Sequence, residues 1–354
     1  MARKFAYVGC RTTRERNARG KGIALYQVSA DTKRWTLVDV FPTLDNPSFL
    51  VMNRAQTMLY AVHGDGEMAS SFRVDAESGR LTFVNSVACN GRNPVHLAFS
   101  ADEQWLAIAN YATGCIARLP IAGDGALESS NEIVTFTGLP GPHTKEQKGS
   151  HPHHISRYQT PFCDSDWHIV PDKGIDSVSA VRWHPDGTCE VHTERWEAGS
   201  GPRHAAFHPK LPFVYIANEL NSTVTVWNFD AASGKLTSLK TAPVLPPGFA
   251  GESTAAGIVI TADAQQLLVS NRGSNTVAAI ALDENGMPGE TDWVSCQGDF
   301  PRFIGLDPES RHLYVANERS DTIVEFALKD TGLAATGQVI ETGSPVCIIF
   351  STRA

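Results

Sequence analysis

The sequence predicts an all-β fold, a seven-bladed β-propeller of four-stranded antiparallel blades, from three observations. A strand–turn–strand pattern recurs seven times, and five of the copies share one 16-residue internal spacing. The copies begin roughly 45–58 residues apart, the period of a blade of four short strands. One copy is split between the two chain ends.

The five regular copies begin at Pro47, Pro94, Pro202, Ala255 and Pro301, and a polar residue closes the second strand of each: His63, Asn110, Asn218, Asn271 and Asn317. The clearest read PVHLAFSADEQWLAIANY, PRHAAFHPKLPFVYIANE and PRFIGLDPESRHLYVANE. Their apolar runs are strand-like, and a polar turn separates them. A sixth copy runs from Pro152 to Asp172, 20 residues on, with its extra residues in the turn around Tyr158–Ser165. The seventh takes PVCIIF, from Pro345, as its first strand and FAYVGC as its second, with Gly9 in the Asn column. Third strands follow, as in STVTVWNF, NTVAAIAL and DTIVEFAL, then turns such as ASGKL, DGAL and TGL, then a fourth strand. Pairing the C-terminal strand with the N-terminal strands closes the ring and removes free sheet edges. Residues 1–354 are therefore expected to form a single domain.

Composition narrows the function classes. The net charge is −8 and the pI about 5.8, with no basic stripe, so nucleic acid is not an expected partner. No apolar run reaches membrane-spanning length, and MARKFAYVGC lacks a signal-peptide core. Seven cysteines, an odd number with no CxxC, fit a reducing cytoplasm better than a disulfide framework. The sequence carries no signal for oligomeric state.

Chemistry is expected where the copies differ. The start of the first strand and the end of the antiparallel second strand lie on one face of the disc. After the repeat proline stand Ser48, Val95, His153, Arg203, Ala256, Arg302 and Val346; after the Asn column stand Cys10, Gly64, Tyr111, Lys173, Glu219, Arg272 and Glu318. The spacing thus places His153, Lys173, Arg203, Glu219, Arg272, Arg302 and Glu318 around one mouth. Solvated strand ends and structural Arg–Glu pairs are the competing explanation. Several cations with few carboxylates favour a pocket for an anionic ligand.

SHPHH offers His151 and His153 on one side of a strand and His154 on the other, without a third metal ligand at recognisable spacing, so no metal is expected. His204 and His208 are expected to pack or to serve turns, and His168 has no assigned role. No GxSxG, phosphate-binding loop or HExxH is present, so a covalent serine or cysteine mechanism has little support. Cys10 falls in the rim column, though a buried free thiol is the commoner case.

The ordered motifs SHPHH, VPDKGIDSV, GSGPRHAAFHP, IANELNSTV, VSNRGSNTV, FPRFIGLDP, LYVANERSDTI and SPVCIIF, with the opening YVGCRTTRERNARGKGIALYQV, resemble the lactonase family of seven-bladed propellers. That family includes the propeller-type bacterial 6-phosphogluconolactonases and the fungal 3-carboxy-cis,cis-muconate lactonizing enzymes. The resemblance covers essentially the whole chain. It implies an active site of His153, Arg203, Glu219 and Arg272 and no metal or other cofactor. Cys10, Arg11, the long ARGKG segment, the additional His154 and the insertion RYQTPFCDSD depart from the family pattern. The insertion joins first and second strands and is expected on the face away from the mouth.

The implied activity is hydrolysis of a lactone bearing an anionic group, such as a sugar-acid or phosphosugar lactone. Arg203 and Arg272 would hold the anion or the developing oxyanion, and Glu219 or His153 would activate water. Arg302, Lys173, Tyr111, Glu318 and His151 would complete the binding surface. Cycloisomerisation of a muconate-type dicarboxylate is the alternative enzyme reading, and a non-catalytic ligand-binding propeller is the third.

Overall fold

A computed structural model describes residues 4–29, 33–159, 166–184 and 186–351. The described residues form seven four-stranded antiparallel sheets arranged as a propeller. The first strands of blades one to six start at residues 47, 94, 156, 202, 254 and 301. Blade seven joins Pro345–Ser351 to Lys4–Cys10, Ile23–Val28 and Trp35–Phe41, so both chain ends build one sheet. No helix among the described residues is long and apolar enough to cross a membrane.

The pairing follows the sequence register in six blades. Pro47 lies opposite His63, Pro94 opposite Asn110, Pro202 opposite Asn218, Ala255 opposite Asn271 and Pro301 opposite Asn317. In blade three an isolated bridge joins Pro152 to Asp172. The buried Asn side chains tie the mouth end of a blade to the segment entering it: Asn110 donates to Cys89 O at 2.9 Å, Asn271 to Val244 O at 2.7 Å and Asn317 to Cys296 O at 3.2 Å.

Blade seven corrects the expected register by one residue. Pro345 faces Cys10, not Gly9. Cys10 therefore occupies the Asn column, and the mouth position falls on Arg11. The first and second strands of this blade come from opposite chain ends, so no turn of fixed length sets their register; the bulge beside the repeat proline is shared with blades one, two, four and six. The Cys10 thiol is buried and donates to Gly22 O at 2.8 Å; burial pushes its pKa up to about 11.

Seven buried apolar clusters lie at the seven junctions between consecutive blades. The rigid ring comes from this packing, since each blade buries both faces against its neighbours. Buried tyrosines add directional ties. Tyr7, Tyr60 and Tyr215 each donate to a turn glycine of the next blade, Gly79, Gly125 and Gly286, at 2.7–3.0 Å. Those glycines have φ between +70° and +90°, where a side chain is strained.

Of the RYQTPFCDSD insertion, residues 160–165 lie outside the described residues. Its described end, Asp166, accepts from Ala101 N–H at 3.2 Å in the first-to-second-strand turn of blade two, at the end of the blades opposite the mouth.

Candidate active site

The inner strands leave a central cleft of about 870 Å³ on the predicted face, continuous in lining with a narrow channel beneath it. Tyr111, His153, Lys173, Glu219, Arg272, Arg302 and Glu318 line the cleft. Arg203 sits lower, in the channel wall, with His204. A second depression of about 530 Å³ between blades one and two, at Met58, Tyr60 and Gly125, lacks a comparable convergence of charges.

Glu219 is the hub. Arg203 Nε lies 2.8 Å and Arg272 Nη2 3.2 Å from its Oε2, and Lys173 Nζ lies 3.2 Å from its Oε1. Each cation is held by a second contact. Arg203 Nη1 donates to Ala256 O at 2.7 Å, Arg272 Nη2 to Ala255 O at 3.1 Å, and Lys173 Nζ to Glu146 Oε2 at 2.7 Å. Lys173 also lies over the Tyr111 ring and Arg272 over the Phe300 ring. The guanidiniums meet Oε2 out of line, so this buried oxygen has no in-line hydrogen bond and keeps acceptor capacity.

Burial alone would raise the Glu219 carboxyl. Arg272, Lys173 and Arg203 outweigh it and hold the group well below the usual carboxylate range. His153 is buried beside this cluster, its Nδ1 without a hydrogen-bond partner. Burial first, and then the Arg203 charge, push its imidazole well below the ordinary histidine range. The site therefore couples a fixed carboxylate, three cations and a neutral imidazole.

The other histidines sort differently. His151, expected with the binding set, does not line the cleft; it stacks on Tyr111 at 4.5 Å, and its Nδ1 lies 2.8 Å from Tyr111 O. His208 serves a turn, its Nδ1 accepting from Lys210 and Leu211 N–H. His168 is packed between Trp105 and Trp183. His204 lines the channel with its ring 5.3 Å from His153 and 4.6 Å from His154, which in turn packs on His96. Among the described residues, no group of three or more His, Cys, Asp or Glu is arranged to hold a metal ion.

Arg11, Arg16 and Glu146 are among the lining residues that escaped the sequence reading. Arg11 becomes visible once the blade-seven register is moved by one residue. Arg16 belongs to a short 3₁₀ turn, Arg14–Arg16, in the long segment after the first strand. Glu146 arrives on the loop after Gly138, which no repeat marks.

Comparison with known proteins agrees with this architecture. A family model described as "Lactonase, 7-bladed beta-propeller" matches residues 5–350. The chain is 28% identical over 358 residues to a 6-phosphogluconolactonase of Bacillus subtilis, covering 99% of both chains. Among solved structures, a periplasmic gluconolactonase of Pseudomonas aeruginosa is similar with a TM-score of 0.90 at 27% identity, covering 100% of both chains. A Lactobacillus plantarum protein is similar with a TM-score of 0.89 at 28% identity and 99% coverage of both. A family match spanning nearly all of the chain, on a ring with a charged central cleft, places this protein in the lactonase family of seven-bladed β-propellers.

Proposed function

We propose that the protein hydrolyses a lactone bearing an anionic group, at the central cleft, without a metal. The observation that supports this reading best is the neutral His153 imidazole beside a Glu219 carboxylate held by three cations.

The neutral imidazole is in no ion pair and its Nδ1 has no partner, so it is free to accept a proton, whereas the Glu219 carboxylate is committed to three cations. His153 takes a proton from water as the water oxygen bonds to the lactone carbonyl carbon. The carbonyl π electrons move to oxygen, and Arg272 and Lys173, which face the cleft, stabilise that oxyanion. Glu219 offsets the imidazolium charge as it forms. Collapse of the intermediate breaks the ring C–O bond, and the leaving alkoxide takes the proton from His153. The product is a hydroxy acid. Arg203, committed to Glu219 and Ala256 O, acts as a positioning residue, not as the anion's ligand. The reading extends to a reducing cytoplasm, which the six free cysteines of the described residues support.

The test is turnover of 6-phosphogluconolactone, unphosphorylated aldonolactones and muconolactones by wild type and His153→Ala. Loss of a general base lowers kcat by roughly 10²–10⁴-fold. The wild-type rate should also hold through pH 6.5, where an ordinary histidine would protonate. Hydrolysis no faster than background for every lactone, or isomerisation of a muconate in place of hydrolysis, overturns the proposal.

A further inference from the structure

The cleft has a second cationic pole that the reaction above does not use. Blade seven stands across the ring from blades three and four, and its mouth position is Arg11. The Arg11 side chain is only 3% exposed, yet it lines both the cleft and the channel. Its Nε is buried with no hydrogen-bond partner. The carboxylate paired with it, Asp65, is 3.4 Å from Nη1 and is already gripped by both ends of the Arg16 guanidinium, with Arg16 Nε at 2.8 Å.

Arg302, in the adjacent blade six, is similarly under-partnered. Its Nε lies 3.7 Å from Glu318 Oε2, beyond hydrogen-bond reach, and that oxygen has no other partner. Among the described residues no hydrogen bond reaches the Arg302 guanidinium. The two guanidiniums are close enough that Arg302 is the largest charge acting on Arg11, after burial, in pushing its pKa down to about 10. Two buried or half-buried like charges with unused donors favour a bound anion.

The neighbouring backbone makes room for this arrangement. A Cβ at Gly64 would overlap Arg11 Nη1 and fall 2.8 Å from Ser48 Oγ. Gly64 occupies the mouth position of blade one, so the ring gives up a side chain there and Arg11 fills the space.

We propose that Arg11 and Arg302 form a phosphate-binding subsite that reads the distal phosphate of a phosphosugar lactone whose carbonyl lies at His153 and Glu219. The planar forks of two arginines suit the several oxygens of a phosphate monoester dianion better than one carboxylate. This subsite rests on the lactonase reading for its substrate, but its anion chemistry stands apart from catalysis.

Two measurements separate the two claims. The first is the ratio of kcat/KM for 6-phosphogluconolactone to that for gluconolactone, in wild type, Arg11→Gln and Arg11→Lys. Losing a charged, buried donor set lowers this ratio by roughly tenfold or more in Arg11→Gln, mainly through KM, and by less in Arg11→Lys. The second uses inorganic phosphate alone. It should raise the melting temperature of wild type, compete with the phosphorylated lactone, and lose most of its stabilising effect in Arg11→Gln. A ratio within threefold of wild type, or phosphate inhibition that is not competitive, overturns the subsite and leaves the lactonase reading standing. Phosphate stabilisation that depends on Arg11, in a protein that opens no lactone, supports the subsite and removes the lactonase reading.

Discussion

Replacing Glu219 by Gln keeps the shape of the side chain and removes the charge on which three cations converge. Arg203, Arg272 and Lys173 have side chains only 2%, 6% and 5% exposed, so water cannot take over the lost partner. Lys173 retains Glu146. Among the described residues, the two arginines have no other carboxylate within 4.0 Å. Stripping one partner from a buried pair costs about 3–5 kcal/mol. For 354 residues the unfolding entropy is ~0.7 kcal/mol/K, so a loss of ~4 kcal/mol lowers the melting temperature by ~5–6 °C. The pH dependence has a definite sign. The folded carboxyl is depressed, so its stabilisation is complete above the unfolded value of about 4.5 and is lost as pH falls through the folded pKa. The gap between wild type and Glu219→Gln should therefore be constant from pH 8 to 5 and narrow below about 4.5. Differential scanning calorimetry across that range measures both quantities. Melting of Glu219→Gln within about 1 °C of wild type at pH 7 would show that the three cations do not depend on this carboxylate.

Two further outcomes follow from other parts of the ring. His168 is fully buried between two tryptophans, and burial pushes its pKa from 6.5 down to about 4. Its neutral form is native, so stability falls by about 1.4 kcal/mol per pH unit between pH 6.5 and 4 on its account; urea titrations of His168→Phe should show a pH slope shallower by that amount, and an unchanged slope would refute it. Gly64→Ala puts a methyl group where the Arg11 guanidinium and the Ser48 hydroxyl now sit, so it should displace Arg11. The phosphorylated-to-unphosphorylated lactone ratio should then fall as in Arg11→Gln, and a wild-type ratio with a wild-type melting temperature would count against the Arg11 seat.

The mouth residues show why part of the site was legible early. Glu219, Arg272 and Glu318 each follow the Asn column by one residue, and that column is readable because the strand alternates with period 2 and the first turn of their blades has a constant length; Lys173 follows the same column although its turn is four residues longer. The same logic failed for Arg11. There the first and second strands come from opposite chain ends, and no turn connects them to fix the register. His151 was misplaced for a related reason: the segment from Ser150 to Ile155 forms only a bridge with the second strand, so simple alternation does not govern where its side chains go.

By itself the sequence determined the seven blades, the closure by both termini, and the face on which His153, Arg203, Glu219 and Arg272 lie. Those features rest on backbone periodicity and turn length, which are local and repeat. Tertiary structure alone decided that Glu219 meets three cations from blades three, four and five, that Arg203 sinks into the channel wall, and that Glu146 and Arg11 enter the cleft. Such meetings depend on how far each side chain reaches across the ring and on the charges already there. They are set by the packing of blade against blade, which no single repeat contains.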